Sequence, residues 1–384
     1  MSLISTGKKQ IRNLQRQAER QLLIASAKSK TRGNFKKPIL LGATNSAGQA
    51  NSWAMALRKA GRNAQSLQIV SDENGSWFNA DRTINRSQWK SLEFRKQLFR
   101  QITSQNSGVL LESLRPIFAL DQPSLFTAEE ALNDLLDLRR AGLKVAVVLH
   151  GSDIRDQMHH AKMEEFSPYR NPADPAKFEA VRLRADHTRL IARKLNRHRI
   201  KHFVTTPDLL HELPDATWLP AVIDIEKFKT NTLIKDSSGP LKVLFLPSNG
   251  WLKSEGLVTP VLNQLENEGV IKLIATGPVE NSQMPALIES ADVVIDRFDG
   301  VVGVASIEAM AAKRLVIANV APWIYNKAEV TPPVIHATPN TLADKLREIA
   351  SDNFNHRQIT DTGFEYVNKW HDGKESATRL NHWL

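Results

Sequence analysis

The sequence contains no cysteine among its 384 residues. Disulfide frameworks, thiolate nucleophiles and cysteine-bound zinc or iron–sulfur sites are therefore excluded. No apolar run approaches the roughly 18–20 residues that span a bilayer. The apolar residues 22–25 are too few for the core of a signal peptide. With 41% hydrophobic and 24% charged residues, the composition is typical of a globular chain, which we expect to be cytoplasmic and to form two or three domains.

Acidic residues are scarce at the N-terminus. Residues 1–37 contain ten basic side chains and one acid, Glu19, whereas the remaining residues contain 41 basic and 40 acidic side chains. The net charge of +10 therefore describes a basic arm attached to a nearly neutral body. A body that binds nucleic acid normally carries its own basic face. Of the possible partners, nucleic acid is therefore disfavoured.

The arm has the pattern of a basic amphipathic helix. Apolar residues recur every three or four positions, as expected for one side of a helix: Ile11, Leu14, Ala18, Leu22 and Ala25. Arg12, Arg16 and Arg20 fall on another side. Such a helix can bind an anionic membrane surface or polymer, which would place residues 1–37 at the inner membrane face. A solubilising tail and a helix packed on the body remain the alternatives.

From Pro38 onward, short apolar segments alternate with helical ones, and the alternation restarts after the polar stretch 229–240. Fully apolar strands such as residues 145–149 are typical of buried parallel sheets. The pattern predicts the α/β class, with two Rossmann-like, doubly wound parallel sheets. The predicted boundaries are an arm, a first domain, a linker, a second domain and terminal helices, at 1–37, 38–228, 229–240, 241–362 and 363–384.

The most informative motif lies in residues 292–316. A predicted strand ends at Ile295, a loop with two glycines follows, and a helix begins near Val304. The free N–H groups of Gly303, Val304 and Ala305 at such a helix start suit a phosphate. Glu308, one turn further in, can accept hydrogen bonds from a ribose diol. A merely solvated Glu308 is the alternative.

This motif resembles the donor site of retaining GT-B glycosyltransferases of family 4, E-G-F-G-x-x-x-x-E-A-M-A-x-G-x-P-V. The matching residues are Gly303, Glu308, Ala309, Met310 and Ala311. Gly300 stands where the family has its first glutamate, which contacts the donor sugar, and Lys313 and Leu315 replace a glycine and a proline. The resemblance implies a GT-B fold whose two domains face a cleft. The first domain would take the acceptor, the second would bind the donor, and the terminal helices would cross back to the first.

The loop after the first strand of the second domain, residues 246–253, is expected to hold the donor pyrophosphate. The family has an arginine and a lysine here; Lys253 matches the lysine, and Gly250 stands in place of the arginine. We therefore expect Lys253 to stabilise the leaving phosphate as a point charge and Asn249 to contact substrate. An exposed loop lysine is the alternative.

In the first domain, His150 follows the most apolar strand, in the segment LHGSDIR. Its imidazole could donate to a sugar hydroxyl or stabilise developing charge, with Asp153 as a substrate contact. A structural histidine, and an Asp153–Arg155 pair, are the alternatives. The loop of residues 42–49 contains two glycines that permit close backbone approach, and Gly48 is expected to contact substrate.

The expected function is hexose transfer from a nucleotide diphosphate sugar to a glycan, a cell-wall polymer or a lipid-linked acceptor. His150 and Lys253 are the expected catalytic residues. The nucleotide sugar is a co-substrate, and we expect neither a cofactor nor a metal. The alternative is a GT-B protein that binds a sugar nucleotide or glycan without catalysis, motivated by glycine at positions 250 and 300.

Overall fold

The computed structural model describes most of the chain, in the ranges 3–26, 37–73, 78–119, 127–172, 174–230, 234, 239–246, 254–274, 279–328, 330–351 and 354–384. The elements alternate between strands and helices, as the sequence predicts. The helices are α1 (Leu3–Ser26), α2 (Gln49–Lys59), α3 (Arg86–Lys90), α4 (Leu92–Gln105), α5 (Thr127–Arg140), α6 (Gly151–Ile154), α7 (Gln157–Met163), α8 (Pro175–Arg197), α9 (Leu209–Glu212), α10 (Glu255–Asn267), α11 (Met284–Glu289), α12 (Val304–Ala311), α13 (Pro322–Tyr325), α14 (Leu342–Ile349), α15 (His356–Trp370) and α16 (Lys374–Trp383).

The first sheet has seven strands in the order β3-β2-β1-β4-β5-β6-β7. Ile39 of β1 lies opposite Ala64 of β2 on one side and Gly108 of β4 on the other, both in parallel register. The order reverses between β1 and β4, which makes that position the topological switch point of the sheet. The strands are β1 (Ile39–Gly42), β2 (Ala64–Val70), β3 (Arg82–Asn85), β4 (Gly108–Glu112), β5 (Lys144–Leu149), β6 (Lys201–Val204) and β7 (Thr217–Trp218).

The second sheet has five strands in the order β12-β11-β10-β8-β9. Val293 of β10 pairs in parallel with Val243 of β8 and with Leu315 of β11. The switch point therefore lies between β8 and β10. The predicted pair of doubly wound parallel sheets is confirmed. The strands are β8 (Leu241–Phe245), β9 (Ile271–Ile274), β10 (Val293–Ile295), β11 (Leu315–Ala318) and β12 (Ile335–His336).

The chain divides into two compact units. The first comprises residues 1–153, 187–203 and 380–384, and the second comprises residues 154–186 and 204–379. In the first unit, the buried side chains of α2 include Trp53 and Leu57. In the second, residues such as Leu262 of α10 and Leu346 of α14 form one core with the strands. The predicted linker, 229–240, lies partly outside the described residues, and the predicted domain boundaries stay predictions.

Helix α1 confirms that the arm contains a helix, and it is held by ion pairs on the first unit. Arg16 contacts Glu130 of α5 at 3.5 Å, and Arg20 contacts Asp137 of the same helix at 2.5 Å. Glu19 accepts from the buried guanidinium of Arg95 at 3.1 Å. The two arginines therefore lie against acidic side chains of the body, whereas Leu14 and Leu22 on the apolar side are exposed.

Two elements differ from the sequence predictions for physical reasons. The pattern of apolar runs does not predict strand β3, because its residues are mostly polar and Ile84 is the one buried residue in it. Helix α15 begins at His356, not at Gly363 as predicted. Gly363 therefore lies inside the helix and does not begin it. A Cβ at this position would lie 3.1 Å from Met310 Cγ, so the glycine permits close packing of α15 on α12. Among the described helices, none combines the length and the apolarity needed to cross a bilayer.

Candidate functional site

At the switch point of the first sheet, a buried carboxylate organises the loop after β1. Glu112 is the last residue of β4 and is 1% exposed. Its Oε2 accepts from the amide of Asn45 at 2.6 Å, and its Oε1 accepts from the amide of Ser46 at 2.7 Å. Hydrogen bonds to charged groups are among the stronger ones in proteins. Glu112 therefore fixes the β1–α2 loop against the carboxyl end of β4.

His150 joins this carboxylate from the end of β5. Its Nε2 lies 2.8 Å from Glu112 Oε1, and its ring stacks on that of Trp53, with the two planes 10° apart. Burial opposes charge on both groups, but their hydrogen bond and mutual attraction outweigh it. The pKa of His150 is raised above its ordinary value and the pKa of Glu112 is lowered. The pair therefore favours a charged imidazolium beside a carboxylate.

Asp153 supports the backbone of His150. Asp153 Oδ2 accepts from the His150 amide at 2.7 Å, across the first turn of α6. The alternative Asp153–Arg155 pair is not formed, because the Arg155 guanidinium donates to Asp208 Oδ2 at 2.5 Å. Asp153 thus orients the histidine, and its contact with substrate stays a prediction.

The two glycines of the β1–α2 loop approach protein atoms closely. A Cβ on Gly42 would lie 2.2 Å from the carbonyl oxygen of Leu67, and one on Gly48 would lie 2.9 Å from Phe78 Cδ1. Gly48 also has a φ of +73° at the start of α2, a conformation that favours glycine. Packing and backbone conformation therefore require both glycines, and the predicted contact from Gly48 to substrate remains a prediction.

In the second unit, Asp296 plays the corresponding organising role at the carboxyl end of β10. The side chain is buried, and its Oδ2 accepts from the Gly303 amide at 2.6 Å and from the Ser306 hydroxyl at 2.7 Å. A Cβ on Gly303 would lie 2.9 Å from Asp296 Oδ2, so this approach requires glycine. The carboxylate closes the loop between β10 and α12 at the switch point of the second sheet.

The predicted helix start at Val304 is confirmed, with Gly303 as the N-cap residue. Because the Gly303 amide donates to Asp296, the predicted phosphate contacts would fall to the next amides of the first turn, those of Val304 and Ala305, and they stay predictions. Both residues are half-exposed, as is Glu308 one turn further along the helix. The strand, loop, helix start and glutamate thus occur together as the motif predicts.

Gly300 occupies a position where no ordinary side chain fits. Its φ is +89°, and a Cβ there would lie 2.8 Å from both Ala321 Cβ and Ile324 Cδ1. The same Cβ would lie 3.2 Å from Cδ of Glu164, so the space beside Gly300 is taken by a carboxylate from another part of the chain. The packing of this loop therefore requires glycine at position 300, where the family has its first glutamate.

Glu164 is held in place by two donors. Trp323 Nε1 donates to its Oε1 at 2.5 Å, and Asn319 Nδ2 donates to its Oε2 at 3.2 Å. Asn319 follows β11 directly, so it brings the carboxylate to the strand ends of the second sheet. Burial raises the pKa of Glu164 despite these hydrogen bonds. Glu164 gave no sequence signal, because it lies in a polar stretch about 140 residues before the motif that it approaches.

A charged network surrounds the same loop. Arg297 donates to Asp299 Oδ1 at 2.6 Å, and Asp299 is fully buried. His160 Nε2 donates to the Asp299 carbonyl at 3.0 Å, and the Ser167 hydroxyl lies 2.8 Å from His160 Nδ1. Burial first, and then the nearby Arg155 cation, lower the pKa of His160 to about 4. His160 is therefore neutral at physiological pH, as its donation to a carbonyl and acceptance from a hydroxyl require.

Asn249 and Lys253 lie outside the described residues, together with the rest of the 247–253 loop. Their predicted roles stay predictions. In the sequence this loop follows β8. The switch point of the second sheet lies between β8 and its neighbour β10. In the part of the chain that the structure describes, no three histidine or acidic side chains are grouped as metal ligands.

Sequence reasoning missed Glu112 and Asn45. Asn45 is 3% exposed, and its side chain donates to Gln68 and to the Asn79 carbonyl while accepting from the Asn51 amide. A signal existed for Glu112, since a carboxylate ends the apolar run Gly108–Leu111 at the edge where parallel sheets bind ligands.

No protein-family model matches the chain, and no curated protein matches it in sequence. Solved structures do match. Sucrose-phosphate synthase from Thermosynechococcus elongatus superposes with a TM-score of 0.58 at 13% identity, over 90% of this chain and 98% of that one. The chain has the GT-B fold. Two further structures with this likeness are Anabaena HepE with UDP and glucose (TM-score 0.53, 12% identity, 90% and 98% covered) and an α-glucosyltransferase with UDP and a 13-mer DNA containing an HMU base (TM-score 0.54, 9% identity, 90% and 99% covered).

Proposed function

We propose that the chain is a retaining glycosyltransferase, similar to family 4, that moves a hexose from a nucleotide diphosphate sugar to an acceptor. The acceptor class is a glycan, a cell-wall polymer or a lipid-linked sugar. The observation that carries the proposal is the β10–α12 junction, where Asp296 closes the loop onto Gly303 and Glu308 lies one turn inside the helix. The GT-B fold and the UDP bound in Anabaena HepE support it.

The second unit would bind the donor. The first-turn amides of α12 and the positive end of the helix suit the pyrophosphate. Glu308 would accept hydrogen bonds from the ribose hydroxyls. Lys253 and Asn249, from the loop after β8, would complete the phosphate contacts, with Lys253 stabilising the charge that develops as the nucleotide leaves.

In the first unit, His150 would act at the reacting sugar. Glu112 raises the pKa of the imidazole, which favours the protonated form that can donate a proton and carry a positive charge. A cation held at this position stabilises negative charge on a hydroxyl or on the leaving oxygen. Glu112 is a positioning residue in this scheme, because it acts through His150 and through the loop that it fixes.

We further propose that Glu164 supplies the carboxylate that Gly300 lacks. Each of its oxygens accepts one hydrogen bond, from Trp323 and Asn319 respectively, and a carboxylate can accept about four in total. The remaining capacity suits sugar hydroxyls. Its position beside Gly300 and its attachment to Asn319 after β11 support this role.

A specific observation favours one second candidate. Because position 300 cannot carry an ordinary side chain, the loop could have lost catalysis and kept binding. Such a protein would bind a sugar nucleotide or glycan without turning it over. Donor turnover separates the two candidates, since both would bind the nucleotide.

The test is a thermal-shift screen against UDP-, GDP-, ADP- and CMP-sugars, followed by a hydrolysis assay with the sugar that binds. A ligand at 100 times its dissociation constant stabilises the folded state by about 2.7 kcal/mol. Binding with nucleotide release supports the transferase, whereas binding without any release supports the second candidate. No shift with any of the four donors contradicts both.

A further inference from the structure

Arg297 lies at the carboxyl end of β10, beside the switch point of the second sheet. Its carbonyl accepts from the Asn319 amide at 3.0 Å, so the pairing of β10 with β11 continues past the end of each strand. Successive side chains along an extended strand point to opposite faces of the sheet. Asp296 bonds Gly303 on the face of α12, whereas Ile295 shares a core with α10. Arg297, two residues after Ile295, therefore lies on the face of α10.

This position borders the crevice of the second sheet. At a switch point, the connections from two neighbouring strands leave towards opposite faces, and open α/β sheets bind ligands in the crevice between them. Here β8 leads to α10, and its neighbour β10 leads to α12. Arg297 therefore borders the crevice from the side of α10, and the first turn of α12 borders it from the other side.

Asp299 holds the guanidinium of Arg297 along one edge only. Arg297 Nε donates to Asp299 Oδ1 at 2.6 Å, and Arg297 Nη2 donates to Oδ2 of the same carboxylate. Arg297 Nη1 makes no hydrogen bond to any residue that the structure describes. A guanidinium has five N–H donors, so both donors of Nη1 and one of Nη2 remain for a ligand. These two nitrogens form the end of the fork, which can bind two phosphate oxygens at once.

Exposure distinguishes this ion pair from a fully buried arginine pair of the same unit. The Asp299 side chain has no exposed surface, but 19% of the Arg297 side chain is exposed and its Nη1 is not buried. In the pair of Arg155 with Asp208, the two side chains are 6% and 3% exposed. Burial opposes the charge of Arg297, but Asp299 and, to a smaller extent, Asp296 raise its pKa above the ordinary value. Arg297 therefore keeps its charge and presents a solvent-accessible edge.

We propose that Arg297 binds the diphosphate of the donor and that Asp299 is the positioning residue that orients it. The buried carboxylate restricts the arginine side chain before the ligand arrives, which lowers the entropy cost of binding. Because Asp299 balances the charge of Arg297, the positive end of α12 supplies the remaining attraction for the diphosphate. This role of Arg297 rests on the proposed function, since it takes the first turn of α12 as part of the donor site.

The test compares Arg297→Lys with the unmodified chain. Calorimetry measures the affinities for UDP, GDP, ADP and CDP, and ligand-observed NMR measures those for the matching nucleosides. Lysine keeps the charge but not the planar fork, so the affinity for the diphosphate that binds should fall roughly 10-fold or more, as for one lost hydrogen bond to a charged group. The nucleoside affinity should stay unchanged, because a nucleoside carries no phosphate. The matched control, Arg357→Lys, replaces an arginine that also faces an aspartate but is 94% exposed, and it should change neither affinity.

A second variant covers a failure to fold. If Arg297→Lys does not fold, Arg297→Gln combined with Asp299→Asn replaces the two charges by amides of similar shape, and this double variant should lose at least as much diphosphate affinity. Unchanged diphosphate affinity in a folded variant, or an equal loss for nucleoside and diphosphate, would overturn the role of Arg297 and leave the proposed function intact. If the unmodified chain binds none of the four diphosphates, both the role of Arg297 and the proposed function are wrong.

Discussion

His150 Nε2 lies 2.8 Å from Glu112 Oε1, so a histidine from the end of β5 and a carboxylate from the end of β4 form one unit. The same carboxylate holds the amides of Asn45 and Ser46. One buried acid therefore links three strand ends at the switch point of the first sheet. This arrangement holds the imidazole in place and raises its pKa before any substrate binds.

Replacing Glu112 by glutamine should lower the pKa of His150. The carboxylate raises that pKa, and an amide cannot stabilise the imidazolium in the same way. If transfer requires the protonated imidazole, the high-pH limb of the activity profile will move to lower pH. NMR titration of the His150 ring measures the shift directly. An unchanged titration in a folded variant would show that Glu112 does not set this charge.

Gly300→Ala should destabilise the second unit by about 1–3 kcal/mol, because it combines a positive φ with crowding. Urea unfolding measures the loss. Two control variants separate the causes. Gly61 has a φ of +80° with open space around its Cβ position, and Gly256 has open space without a positive φ. Gly61→Ala should therefore cost less than Gly300→Ala, and Gly256→Ala should be close to neutral. If Gly300→Ala leaves the free energy of unfolding unchanged, the loop can accommodate a side chain at this position and the packing argument is wrong.

The buried histidines predict a loss of stability in acid. Burial lowers the pKa of His160, and that of His371, to about 4, against about 6.5 in an unfolded chain. The unfolded state therefore binds more protons between these values, and stability falls as the pH drops from about 6.5 towards 4. At pH 5 each histidine should cost about 2 kcal/mol.

Thermal unfolding at pH 7.5 and at pH 5 checks this expectation. His160→Asn should flatten the pH dependence, although it also lowers stability at pH 7.5 by removing buried hydrogen bonds. His382→Asn, at an exposed site in α16, is the control and should leave the pH dependence unchanged. The same acid loss in all three proteins would assign it to other groups.

The variants Lys253→Ala and His150→Ala should lose different properties, nucleotide affinity in the first and turnover in the second. Lys253 is expected to touch the leaving phosphate, so its loss should weaken binding of the nucleoside diphosphate as well as of the donor. His150 is expected to act at the reacting sugar, so its loss should lower kcat with little change in nucleotide affinity. Calorimetry with the nucleoside diphosphate, together with steady-state kinetics, distinguishes them. Equal losses of nucleotide affinity in the two variants would contradict the role of His150 at the reacting sugar.

The sequence predicted what depends on local pattern and missed what depends on distant packing. Apolar runs located most strands of both sheets, although not the polar β3, and the glycine-punctuated motif located the start of α12 at Val304. The placement of Glu164 beside Gly300 could not be predicted, because it depends on tertiary contacts with Asn319 and Trp323. The ion pairs of Arg16 and Arg20 with α5 could not be predicted either, since they join residues more than 110 positions apart in the sequence.

The most direct test of the account is the affinity of Glu308→Gln for the nucleoside diphosphate of the donor that binds. Isothermal titration calorimetry on the variant and the unmodified protein measures it, with circular dichroism to confirm the fold. A lost hydrogen bond to a charged group costs about 1.5–3 kcal/mol, so affinity should fall by roughly 10- to 150-fold. A folded variant that binds the nucleotide as tightly as the unmodified protein would contradict the assignment of α12 as the donor site.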